Sequence, residues 1–220
     1  MSATEFYTDA QRDIQDQFES RPLADRVEAA IVSDELDEHH TGFIATRDFF
    51  YLATVNADGE PTVSHKGGDI GQVKVIDSKT LAFPIYDGNG MYLSVGNVSD
   101  TGKVGMLFID YETPHRVRVQ GDATMHVDDP LLSEWPGAKM IVRVAVTRTF
   151  QNCARYIAKY TKVEPSRYVP NKDGDQPYAT WKRIDGLQDA LHPDDIGRAE
   201  REGGVITMEQ YGEALAKGES

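Results

Sequence analysis

The chain has 220 residues, 40% apolar and 27% charged, which suits one large soluble domain or one domain with an added segment. With 23 Lys and Arg against 36 Asp and Glu, the net charge of −13 disfavours non-specific binding to nucleic acid or an anionic membrane, since both need positive surface potential. One cysteine, Cys153, rules out an intrachain disulfide and argues against a cysteine-based zinc site.

MSATEFYTDAQRD lacks the basic and apolar sections of a secretory leader, and no apolar run approaches the ~20 residues that cross a bilayer. The expected setting is therefore a reducing cytoplasm. Residues 1–46 read as a helical segment. Tyr7, Ile14 and Phe18 fall near helical spacing. Pro22 opens a second helix carrying Leu23, Val27 and Ile31. Ser33 is the expected cap of a third, with Asp34 and Glu35 in its first turn and Leu36, Phe43 and Ile44 as its buried stripe.

From residue 47 the period changes. DFFYLATVNADGEPTVSHKGG is two β-rich runs around Asp-Gly, a strong hairpin signal. Further strands are expected at 73–77, 81–86, 103–110, 116–127 and 140–150, with a short helix in MYLSVGNV. Six or seven such strands fit a closed or nearly closed barrel over residues 47–150, its outer face covered by helices or a second subunit. The β-pattern stops after residue 151. Residues 151–220, rich in aromatic, basic and proline residues, read as an extension docked on the barrel or on a partner. TMEQ, Thr207 to Gln210, is a capping box for a final helix.

Three stretches carry candidate chemistry. In SHKGG, Ser64, His65 and Lys66 offer donors to an anion, and Gly67 and Gly68 permit close backbone approach; taken alone, the stretch reads first as a solvated loop after an edge strand. DGNG before MYLSVGNV is either an ordinary turn or a phosphate site at a helix N-terminus, with Asn89 as an added donor. In HRVRVQG, Arg116 and Arg118 share a strand face, where they suit an anion or a surface ion pair. The six histidines show no metal-ligand spacing, so no metal is assigned. His39 and His40 read as helix-surface residues, and Cys153 as a small buried side chain. No nucleophile-elbow, Walker or dinucleotide-binding glycine motif is present.

Taken in order, FFYLATVNADGEPTVSHKGG, LAFPIYDGNGMYLSVGNV, KVGMLFID and HRVRVQGDATM resemble the FMN-binding split-barrel flavoproteins related to pyridoxamine 5′-phosphate oxidase, over roughly residues 43–150. NCARYI and WKR also resemble a C-terminal extension found in one branch of these proteins. The resemblance implies a mainly β protein with peripheral helices, built on a six-stranded antiparallel split barrel. It implies a homodimer with FMN at the subunit interface, acting as an oxidoreductase on a small molecule. Carried over residue by residue, it places Ser64, Lys66 and Gly67 beside the flavin and its phosphate. Asn89 and Asn97 fall near the phosphate and ribityl chain, and Arg118 and Gln120 on a late strand facing the cofactor. Arg155, Tyr156, Trp181 and Lys182 are candidates in the extension. No Arg-x-His occurs anywhere, so the arginine–histidine pair by which pyridoxamine phosphate oxidases hold their substrate phosphate is missing. Two other readings of the same barrel remain: a non-catalytic protein storing or sensing flavin, deazaflavin or a tetrapyrrole, and a haem binder using His65, His115 or His126.

Overall fold

The N-terminal segment forms three helices. The computed structural model describes residues 5–219 and divides the chain into two units, Met1–Ser166 and Arg167–Ser220. Helix α1 (Asp9–Gln17) starts at a capping box between Thr8 and Gln11, and α2 (Arg21–Ile31) carries Pro22 in its first turn.

Helix α3 (Glu38–Ala45) starts later than expected, and Ser33 does not cap it. Val32–Ser33 instead form a two-residue strand, β1, pairing with Phe150 and Thr149, and the Leu36 N–H donates to the Ser78 carbonyl. An available strand edge thus holds the chain extended until Asp37, whose carboxylate accepts from the His40 N–H at 2.8 Å. Asp34 and Glu35 lie outside the helix. His40 is not a surface residue: it is 8% exposed, and burial holds its imidazole below the ordinary histidine pKa against the opposing pull of Asp37. Cys153 departs from expectation in the other direction and is exposed.

The strands follow as β2 (Phe49–Val55), β3 (Pro61–Gly67), β4 (Lys74–Asp77), β5 (Thr80–Ile85), β6 (Lys103–Asp110), β7 (His115–His126) and β8 (Met140–Gln151). The β2–β3 turn works through Asn56, whose Oδ1 accepts from the N–H groups of Asp58 and Glu60, and through Gly59 at φ +83°. All strand pairs are antiparallel, and the eight-stranded sheet runs β3-β2-β6-β7-β8-β5-β4, with β1 on β8. Its ends, β3 and β4, are not paired with each other, which leaves the barrel split. Helix α4 (Leu93–Thr101) packs on β2, β3, β6 and β7.

Strand alternation sorts the wall into two faces. Phe50 and Leu52 of β2, Met106 and Phe108 of β6, Val117 and Val119 of β7 and Val142 and Val144 of β8 point inward and join Leu81 and Phe83 in one core. The rings of Phe83 and Phe108 pack on Phe50 at 5.0 and 5.4 Å. The wall bends at a register shift between Gln120 and Gly121. A Cβ on Gly121 would lie 2.5 Å from both the Ala145 carbonyl oxygen and Val144 Cγ1, so the bend requires glycine.

The second unit is built from short 3₁₀ turns, α5 (Arg198–Arg201) and α6 (Met208–Lys217). The Thr207–Gln210 capping box opens α6 as expected. Ile184 and Ile206 form a parallel bridge, and the Arg183 guanidinium donates to the carbonyls of Gly203 and Gly204. Lys182, 8% exposed, donates to the Asp195 carboxylate at 2.7 Å.

Gly121→Ala tests the bend. Overpacking against backbone at this position costs about 1–3 kcal/mol. A lowered urea midpoint with an unchanged slope is the expected result.

Candidate functional site

The register of the β2–β3 hairpin decides which residues of SHKGG face inward. Ser64 pairs with Leu52 and Lys66 with Phe50, so both take the core face; His65 pairs with Tyr51 and Gly67 with Phe49, on the outer face. Helix α4 meets the inner face of β3 directly: the hydroxyls of Ser64 and buried Ser94 lie 3.0 Å apart. Lys66 is two residues further along, about 7 Å on the same face.

Lys66 is half-buried, and among the described residues no carboxylate or other acceptor pairs with its ammonium. Desolvation alone pushes its pKa below the ordinary lysine value. The other lysines that are not fully exposed are matched: Lys74 with Glu134 and Lys182 with Asp195. Helix α4 begins without a side-chain cap. Tyr92 holds its N-cap position at φ 50°, in the left-handed region, which costs a non-glycine residue about 1–2 kcal/mol. The first-turn N–H groups of α4 and the Lys66 ammonium, two residues along β3 from the Ser64–Ser94 contact, are each suited to a phosphate.

The remaining predicted residues are distributed as follows. Asn97 is 6% exposed and is turned into the fold: its Nδ2 donates to Thr54 Oγ1 at 3.0 Å and Thr62 Oγ1 at 3.2 Å, tying α4 to the hairpin. Asn89 is exposed and closes its own loop, its Oδ1 accepting from the Met91 N–H. Arg118 and Gln120 point outward from β7, away from Ser64 and Lys66. Arg155 and Tyr156 lie exposed after β8, with the guanidinium 6.0 Å from the Tyr156 ring centre. Trp181 and Lys182 belong to the second unit, where Lys182 is committed to Asp195.

The outer face has its own hollow, of about 350 Å³, lined by Tyr51, Ala53, Leu107, Arg118, Gln120 and Phe150. A second hollow, of about 370 Å³, shares Ala53, Gly105 and Gln120 with it. Among the described residues Arg118 has no carboxylate partner. Burial, with Arg116 close by, lowers its pKa, and its guanidinium lies 5.9 Å from the Phe150 ring centre. Tyr51 and Tyr111 place their phenols 3.4 Å apart; that hydrogen bond, with burial, pushes Tyr111 up to about 12. One chain thus carries, on opposite faces of its wall, two cations with no carboxylate partner among the described residues, Lys66 and Arg118.

Sequence reasoning missed Ser94, Tyr86 and Gln72. Tyr86 follows β5 directly, and burial with Asp69 nearby raises its phenol pKa. Its position just before DGNG was the available signal. Gln72 lies in the loop after SHKGG and gives no sequence signal. The haem candidates are scattered: His65 stacks on Phe49 on the outer face, while His115 and His126 stand at the two ends of β7. No group of three or more His, Cys, Asp or Glu able to hold a metal ion occurs among the described residues, and no helix there is long and apolar enough to cross a membrane.

A mainly antiparallel split barrel with helices at its rim is the class these features define. The sequence model of the pyridoxamine 5′-phosphate oxidase family matches residues 36–167, and the chain belongs to that family. No curated protein matches the sequence. Among solved structures, the chain is similar to HupZ of Group A Streptococcus, with 19% identity and a TM-score of 0.45 over 57% of this chain and 99% of that one. An FMN-binding protein from Syntrophomonas wolfei shares 12% identity at a TM-score of 0.40, over 64% and 96% of the respective chains. HutZ, the haem storage protein of Vibrio cholerae, shares 19% at 0.40, over 53% and 94%.

Two substitutions probe the site without a ligand. Asn97→Ala removes donors from two threonine hydroxyls and costs about 1–3 kcal/mol in urea unfolding. Lys66→Met stabilises the ligand-free protein at neutral pH. The folded-state pKa of Lys66 is depressed, so the penalty of its charge is complete below that value and vanishes as pH rises through the unfolded one. The stability gap between Lys66→Met and the native chain therefore closes across the alkaline range.

Proposed function

We propose that this protein is an FMN-dependent oxidoreductase acting on a small molecule as a homodimer, each cofactor lying between two copies of the barrel. The observation that carries the reading is the half-buried Lys66, without an ion-pair partner among the described residues, two residues along β3 from the Ser64–Ser94 contact with α4. An uncompensated cation costs free energy in the folded chain, and a dianionic phosphate removes that cost. Ser64 and Ser94 add hydroxyl donors at that contact.

The opposite-face placement of Arg118 and Gln120 supports the two-copy arrangement. They cannot reach a ligand held by Lys66 of their own chain without crossing the wall. A second copy laid against the outer hollow would offer them to it, and would cover the exposed side chain of Val63. Bound FMN supplies hydride or electron transfer, and the chain's own residues bind and orient it. Lys66, Ser64 and the α4 N–H groups would hold the phosphate. The hollow floored by Ala53 and Gly105 would take the flat ring, with Arg118 and Gln120 at its polar edge. The missing Arg-x-His pair points away from a pyridoxamine phosphate substrate. The single exposed cysteine suits the cytoplasm, where thiols stay reduced.

The purified protein is expected to carry flavin absorption or take up added FMN, and to sediment as a dimer. Lys66→Ala should weaken FMN binding by about 1–3 kcal/mol, the scale of a lost charge-assisted hydrogen bond. A protein that shows no flavin bands and takes up no FMN is not the one proposed.

A further inference from the structure

Strand β3 is the edge of the sheet and is held by β2 alone. At Lys66, which pairs with Phe50, the carbonyl on the β2 side is also met by a side chain. Gln72, 5% exposed, donates through Nε2 to the Lys66 carbonyl at 2.8 Å and to the Asp48 carbonyl at 2.9 Å. One amide thus bridges the end of β3 to the residue before β2. The same Asp48 carbonyl accepts from the Gly68 N–H at 2.8 Å, and the Arg47 carbonyl accepts from the Gly71 N–H at 3.1 Å. Gly71 takes φ +81°, which turns the chain back so that Gln72 points inward.

Gly68 completes the arrangement. A Cβ there would run into Oε1 and Cβ of Gln72, so this glycine makes room for the amide. The loop therefore does more than end a strand. It fixes the backbone from which Lys66 projects, one residue before the last β2–β3 pair, Phe49 with Gly67.

We propose that Gln72 is a positioning residue for the anion site: its amide holds the Lys66 backbone so that the ammonium projects, desolvated and unpaired, toward the start of α4. This rests on the FMN reading for the identity of the anion, but not for the geometry. Lys66 has a freely rotating stem, and a loosened strand end would let its ammonium swing into water. The depressed pKa of Lys66 is a signature of that confinement, since desolvation is its cause.

The test uses the full chain and two variants, Gln72→Met, which keeps the length and loses both donors, and Gly68→Ala, which crowds the amide out of place. The pH midpoint of Lys66 acylation by acetic anhydride is read by mass spectrometry in the ligand-free protein, and FMN affinity by fluorescence titration. In both variants the midpoint is expected to rise toward the ordinary lysine value, and FMN affinity to fall about tenfold, as for a binding group no longer held in place. A folded variant with an unmoved midpoint, or with unmoved FMN affinity, overturns the proposal. Loss of the folded state in both variants also overturns it, because Gln72 then serves the fold rather than the site. If the native chain takes up no FMN, the flavin reading falls, while the acylation midpoints still decide the role of Gln72.

Discussion

The pairing of Phe50 with Lys66 and of Leu52 with Ser64 across one hairpin governs what this barrel encloses. A slip of one residue would turn Lys66 and Ser64 outward and bring His65 and Val63 into the core. Asn56 and Gly59 fix the turn at one end of the pairing, and the Gln72 amide fixes the other. Between them, Thr54, Thr62 and Asn97 form a closed hydrogen-bonded triangle that sets α4 against the hairpin. The start of α4 is positioned relative to Lys66 through these contacts.

The charge pattern gains meaning from that geometry. In a chain of net charge −13, carboxylates are plentiful, and Lys74, Lys79, Lys103, Lys162 and Lys182 each have one within ion-pairing distance. Among the described residues Lys66 and Arg118 have none, although both are partly withdrawn from water. An isolated, desolvated cation in an acidic protein is costly by comparison with its matched neighbours. Ligand sites commonly hold such groups in reserve for a charge that arrives from outside.

Much of this was legible in the sequence, for identifiable reasons. The period-2 runs, Asp-Gly turn and Thr207 capping box depend on neighbours within a few residues and were placed correctly. The opposed faces of His65 and Lys66 follow from alternation alone. Features decided by distant partners were not legible. Ser33 lost its capping role to the edge of β8, more than a hundred residues away in the chain. His40 is buried and Cys153 exposed because of packing that no local pattern records. The role of Gln72 depends on two carbonyls brought together by the fold, and Lys182 is committed to Asp195 by the second unit's own packing.

The division of Lys66 and Arg118 between opposite faces has a genetic consequence under the two-copy reading. A chain damaged at Lys66 and another damaged at Arg118 each form dimers in which both sites are broken. When the two chains pair, one site collects both lesions and the other receives Lys66 from one chain and Arg118 from the other, intact. Two defective alleles would then complement each other. Two alleles with lesions on the same face would not.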